Sequence, residues 1–161
     1  VITGMHHSFT AVETQLLADI ATTGGSFIFP VAAMSNVAQG AAALSVLLVL
    51  KKDNKMKGIA SASGISALLG ITEPAIFGVN LKLRYPFYGA MIGTAVSSAY
   101  IMLTKVLALA PGAAGLPGII SIRADSMINY IIGMAISMAV AVASTIILAK
   151  TTAKKQNLEV A

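Results

Sequence analysis

The sequence predicts an all-α membrane protein, polytopic, with transmembrane helices and a re-entrant or broken helical hairpin. Three observations predict it. Of the 161 residues, 57% are hydrophobic and only 11% are charged, with a mean hydropathy of +0.84, whereas soluble domains carry about 25% charged residues. The apolar residues gather in runs long enough to cross a bilayer. One run is interrupted by Glu73-Pro74, a carboxylate and a helix breaker that an unbroken lipid-facing helix does not hold.

The clearest span is Met127 to Ala149, 23 residues without a formal charge. At helical rise that is roughly 34 Å, enough for a hydrocarbon core of about 30 Å. Its small residues, among them Gly133, Ala141 and Ser144, suit close helix packing. A second span is expected over residues 88–110, ending at Pro111-Gly112, with Lys105 snorkelling from its last turns. A third is expected over 34–50, carrying Asn36 and Gln39 near its start and closed by Lys51-Lys52.

Residues 58–80 read differently. About 14 apolar residues, Ile59 to Thr72, precede Glu73-Pro74, too few for a comfortable span; a re-entrant hairpin lining a cavity accommodates both the length and the carboxylate. Charge supports it. With 58–80 dipping in and returning, nine of the eleven basic residues fall in cytoplasmic loops and Arg123 alone in the outer loop. A full crossing would put Lys82 and Arg84 outside, against the positive-inside rule. Towards the N-terminus, Phe9 to Ile20 reads as a helix broken at Thr22–Gly25 before Pro30. The chain starts at Val1 with no secretory leader, which reads as a stretch of a longer polypeptide.

Several function classes drop out. The net charge of +5 resides in short clusters between apolar runs, the pattern of membrane loops and not of a nucleic-acid-binding face. There is no cysteine, so the chain offers no disulfide, thiolate metal site or phosphocysteine. No P-loop is present. His6-His7 is a poor metal chelate, since adjacent helical residues point about 100° apart and no third ligand stands at metal spacing. No metal or cofactor is expected.

The polar residues inside apolar segments then carry the functional reading. Glu73 is the foremost, because an intramembrane ionisable group is by default functional; Thr72 stands beside it as a hydrogen-bond donor, and Pro74 is expected to free backbone carbonyls towards a solute. Such a set of acceptors suits an uncharged polyol. His6, Thr10 and Glu13 lie at i, i+4 and i+7, one polar helical stripe that should face a cavity. Pairing of Glu73 with a neighbouring Lys or Arg is the purely structural alternative, and packing within a bundle the corresponding one for the histidines.

Gly70-Ile71-Thr72-Glu73-Pro74, continuing through Ala75–Asn80, resembles the signature of sugar phosphotransferase-system IIC domains of the glucose superfamily. Gly4-Met5-His6-His7 is similar to the G-x-H-H motif of the same family, and Gly115-Leu116-Pro117-Gly118 is also similar. The likeness runs over essentially the whole chain and is nearest the sucrose, trehalose and β-glucoside branch. It implies the C-terminal half of a IIC domain in a bacterial inner membrane, with Glu73 and Thr72 binding sugar and Glu73 assisting attack by the 6-hydroxyl. His6 or His7 would bind the sugar or the developing phosphate charge, as further catalytic and substrate-binding residues. The implied partners are a disaccharide or glucoside, a phosphorylated IIB domain as phosphoryl donor, the lipid bilayer and a second copy in a homodimer of the complete domain. The activity would be that of one component of a protein-phosphohistidine–sugar phosphotransferase. A proton-coupled secondary transporter is the alternative, and a non-catalytic membrane scaffold a third class.

Overall fold

The structure, a computed structural model, describes residues 8–50, 53–112 and 115–156, with side chains through residue 152. Among these residues the chain forms helices and turns, with two isolated β-bridges and no strand. Helix α1 (Ser8–Ala18) and the single turn α2 (Ile20–Thr23) end at Gly24, whose left-handed φ of 73° lets its N–H reach the Ile20 carbonyl.

Helix α3 (Ile28–Val49) is the central element. It begins six residues before the expected Met34 because Pro30 sits in its first turn, where backbone N–H groups have no intrahelical partner to lose. Its 22 residues extend about 33 Å. Helix α4 (Asn54–Leu68) opens on Asp53, whose carboxylate accepts from the Met56 N–H at 2.9 Å, satisfying one orphan donor. It stops at a turn in which Gly70 takes φ 108°, a conformation open mainly to glycine. The Ser66 hydroxyl donates to the Ile71 carbonyl across that turn at 3.2 Å.

The chain then returns through α5 (Glu73–Ala75), a π-helical turn over Ile76–Asn80 and α6 (Leu81–Leu83). Pro74 does not interrupt a helix, as the sequence reading had it. It lies in the first turn of the returning limb, where proline is tolerated, and the carbonyls of Ile71 and Thr72 are occupied by Ser66 and by the Ile76 N–H.

Residues 54–83 form a hairpin whose two limbs share one end. Met56 at the start of α4 clusters with Val46 of α3, Val79, Leu83 and Tyr85. Near the turn, Leu68 lies against Gly40, where an added Cβ would come within 3.0 Å of its side chain. Gly40 is nine residues from the end of α3, so the hairpin reaches about 14 Å along it, roughly half its length. Glycine makes this approach possible: a Cβ on Gly40 would lie 2.9 Å from the Gly64 carbonyl oxygen. A buried clasp fixes the returning limb, with Asn80 Nδ2 donating to Gln39 Oε1 at 2.6 Å and to the Gln39 carbonyl at 3.1 Å.

Helices α7 (Tyr85–Leu103) and α8 (Met127–Gln156) complete the bundle against α3. Gly89 and Gly93 of α7 meet Thr145 and Ala141 of α8, a small-xxx-small match on each side that lets the backbones approach closely. Helix α7 ends at Leu103, not at Ala110. The Lys105 N–H bonds the Met102 carbonyl and the Val106 N–H bonds the Ile101 carbonyl, with Lys105 at φ 51°. This is a Schellman cap, completed by contact between buried Ile101 and Val106. Lys105 is thus an exposed capping residue beyond the helix and does not snorkel from within it.

The following segment is extended and tied to the start of α3. Ser26 and Ala108 exchange backbone bonds of 2.9 and 2.8 Å, and the Leu109 N–H bonds the Ser121 carbonyl. Gly25 permits the approach, because a Cβ there would stand 2.5 Å from the Ala108 carbonyl oxygen. Two 3₁₀ turns, Leu116–Ser121 and Ala124–Ser126, then lead into α8.

Helix α3, helix α7 and the helical stretch Ala124–Thr152 are long and apolar enough to cross a membrane. Gly93→Leu should force α7 from α8, since even a Cβ would come within 2.8 Å of Ala141. The expected cost is about 1–3 kcal/mol, read as a lower melting temperature in detergent. Gly58→Ala, with open space around its Cβ on α4, should hold or raise stability by up to about 1 kcal/mol.

Candidate functional site

A cavity of about 870 Å³ opens between α1, α3, the Gly70–Glu73 turn and α7. From α3 it is lined by Ile28, Val31, Ala32, Ser35 and Asn36. These stand at i, i+3, i+4, i+7 and i+8, one face of the helix, while Phe29, Ala33, Met34 and Val37 of other faces are buried in the core. Helix α7 contributes Ser98 and Met102, and α1 contributes Phe9, Thr10 and Glu13.

Glu73 and Thr72 enter from the hairpin turn. The glycine at position 70 reverses the chain, and the new helix begins at Glu73, so the carboxylate stands on a helix's first turn, where negative charge is favoured. Thr72 is buried, with 4% of its surface exposed, and Glu73 is exposed. Neither side chain has a hydrogen-bond or ion-pair partner among the described residues, where the only ion pair given is Arg123–Asp125.

The sequence-derived stripe is partly visible. Thr10 and Glu13 both line this cavity with Glu73, although 60 residues separate the two carboxylates in the sequence. Ser26 Oγ donates to Glu13 Oε1 over a long 3.4 Å. His6 and His7, the other two expected site residues, lie outside the described residues. Among the described residues no group of three or more His, Cys, Asp or Glu could hold a metal.

Ser35, Asn36, Ser98 and the aromatic wall of Phe9 and Phe27 were missed as site residues. Asn36 carried a signal, being an amide inside an apolar run. Ser98 carried none: its role depends on which face of α7 turns inward, and its buried Oγ has no partner among the described residues. A buried hydroxyl left without a bond is costly unless something else supplies one.

The cavity lining is mostly apolar, with a few convergent polar groups, as small-molecule sites usually are. Among the described residues no basic side chain lines it. Set in a bundle with three membrane-length helices, it defines an integral membrane protein with a cavity suited to an uncharged polar solute. More particularly, the chain belongs to the phosphotransferase system EIIC family, whose model matches residues 1–95.

Several named relatives agree. The chain is 68% identical to the sucrose-specific EIIBC component of the PTS system from Vibrio alginolyticus, over 92% of this chain and 31% of that protein. It is 52% identical to the sucrose-specific EIIBCA component of Pediococcus pentosaceus, over 94% of this chain and 23% of that protein. It is 50% identical to the trehalose-specific EIIBC component of Bacillus subtilis (strain 168), over 90% and 30% respectively. The chain thus spans about a third or less of the length of these relatives. All three are phosphotransferase-system components, and a proton-coupled carrier finds no support among them. No solved structure matches the chain.

Because the chain has no cysteine, introduced thiols report the cavity cleanly. Ser35→Cys, on the cavity face of α3, should react with a polar maleimide at least about tenfold faster than Ala33→Cys, whose position is fully buried. Equal rates for the two would contradict the orientation of α3 given above.

Proposed function

We propose that this chain is the C-terminal part of a IIC domain that binds a sugar, a sucrose-type disaccharide or related glucoside, and presents its 6-hydroxyl to a phosphorylated IIB domain. The observation that carries the reading is Glu73 with Thr72: a carboxylate without a partner among the described residues, beside a buried threonine, held on a glycine turn in a cavity within a membrane bundle. The names of the sucrose- and trehalose-specific relatives support the substrate class.

In this reading residues 54–83 re-enter the membrane from the cytoplasmic side. The shared end of the two limbs carries Lys55, Lys57, Lys82 and Arg84, as positive-inside charge requires. The reach of the hairpin along α3 supports a turn at membrane depth, where irregular backbone is tolerated only against protein or a cavity. Glu73 accepts hydrogen bonds from sugar hydroxyls, which are donors in need of acceptors.

Chemically, the sugar O6 attacks the phosphorus of the IIB phosphocysteine. The O–P bond forms, the S–P bond breaks, and the 6-hydroxyl proton passes to the Glu73 carboxylate as general base. His6 or His7 completes the site by binding sugar or the developing phosphate charge. The complete domain works as a homodimer.

Glu73→Gln in the gene's full-length product tests the assignment. Gln retains size and an acceptor oxygen but removes the charge and the capacity to take a proton. Sugar binding should weaken modestly, while phosphorylation should fall by about 10²-fold, the scale of losing a general base. A proportional loss of both would reduce Glu73 to a binding group. Unchanged phosphorylation would reject the assignment.

A further inference from the structure

We propose that Glu13 reads the second ring of the disaccharide whose first ring is held at Glu73, making it a determinant of disaccharide over monosaccharide; the proposal rests on the sugar-permease reading above. The argument begins with where the two carboxylates stand. Glu13 is tied through Ser26 to the segment just before α3, since Ser26 Oγ donates to Glu13 Oε1. The Gly70–Glu73 turn follows Leu68, which lies against Gly40, and Asn36 is the α3 cavity residue nearest Gly40 along the helix. Ile28 and Asn36, at the two ends of that face, are eight residues apart, about 12 Å along the helix. Glu13 is thus tied to the Ile28 end of that face, and the turn that carries Glu73 follows from the Gly40 side. A lining face of that length is longer than one sugar ring and suits two joined rings.

The volume agrees. A cavity of about 870 Å³ lies in the upper part of the range of roughly 300–1,000 Å³ for small-molecule sites, more than one sugar ring requires. The walls agree too. Phe27, Val31 and Met102 line it between the polar ends, apolar surface for the C–H faces of sugar rings. Glu13 has no ion-pair partner among the described residues, so its carboxylate retains acceptor capacity for ligand hydroxyls. Its anchor is rigid: Ser26 is buried and bound through both backbone groups to Ala108.

The test compares wild type, Glu13→Gln and Glu13→Ala in the full-length product, at matched membrane levels, with phosphorylated IIB as donor. Sucrose is measured as substrate, and methyl α-glucoside as substrate or as competitive inhibitor. For Glu13→Ala the sucrose KM should rise about tenfold, the scale of one lost hydrogen bond to a charged group, with kcat held within about twofold. Methyl α-glucoside should keep its KM or inhibition constant within about the same twofold margin, because it has no second ring to lose. Glu13→Gln should show a smaller rise for sucrose, and it decides the matter if Glu13→Ala fails to accumulate. An unchanged sucrose KM, an equal loss for both sugars or a fall in kcat overturns the proposal while leaving the permease reading standing. A wild-type protein that phosphorylates no sugar overturns that reading, and this proposal with it.

Discussion

Hydrocarbon offers no partner to a turn's backbone groups or to a carboxylate, so a broken helix at membrane depth survives only where protein or a polar cavity surrounds it. Under the re-entrant arrangement proposed above, the contact of α3 with the hairpin meets that requirement. Gly40 and Gly64 let the two helices approach until each glycine faces the other's carbonyl. The Gly70 turn is thereby brought against α3, and Glu73 opens into a cavity between α1, α3 and α7. Bulk at either glycine would separate the hairpin from the helix that shelters it. The cavity, the unpaired carboxylate and the returning limb all follow from that close approach.

The same economy holds elsewhere in the bundle. Gly89 and Gly93 admit α8 as Gly40 admits α4, and Ser137 donates from α8 to the Met34 carbonyl of α3 at 2.9 Å. Between apolar helices in lipid the hydrophobic effect gives no net drive, so small residues, close van der Waals contact and a few interhelical hydrogen bonds hold the assembly. Outward faces of α7 and α8 keep large apolar side chains such as Ile92, Val96, Ile128 and Ile132 exposed. In an aqueous protein that would be an anomaly; in a membrane protein such faces meet lipid or neighbouring helices.

Much of this was legible in the sequence, and the physical reasons for what was not are specific. Long apolar runs identified the cores of three helices because hydropathy needs no tertiary information. Their ends depended on backbone geometry that hydropathy does not sense. Helix α3 starts six residues ahead of Met34, with Pro30 in its first turn, and the α7 stop at Leu103 is set by a Schellman cap on Lys105, not by the later Pro111-Gly112. Glu73 was visible as a lone carboxylate, and the spacing of Thr10 and Glu13 exposed a stripe. Ser98 and Phe27 were invisible, because their role depends on how two distant helices are rotated about their axes. The Gln39–Asn80 clasp was hidden for the same reason: each amide is conspicuous alone, but only the returning limb brings them within 2.6 Å.

The π-helical turn over Ile76–Asn80 has a consequence for how this chain can change in length. A π-turn accommodates one residue more than the α-helical ladder would use over the same stretch. Deleting a single residue there would restore regular helix locally, yet it would rotate everything after it by about 100° relative to everything before it. Asn80 would leave Gln39 while Glu73, on the near side, kept its place. Neighbouring surface loops can gain or lose residues freely, whereas this buried stretch behaves as a phase marker: its count of residues, more than its composition, synchronises the inner end of the cavity with the helix that follows.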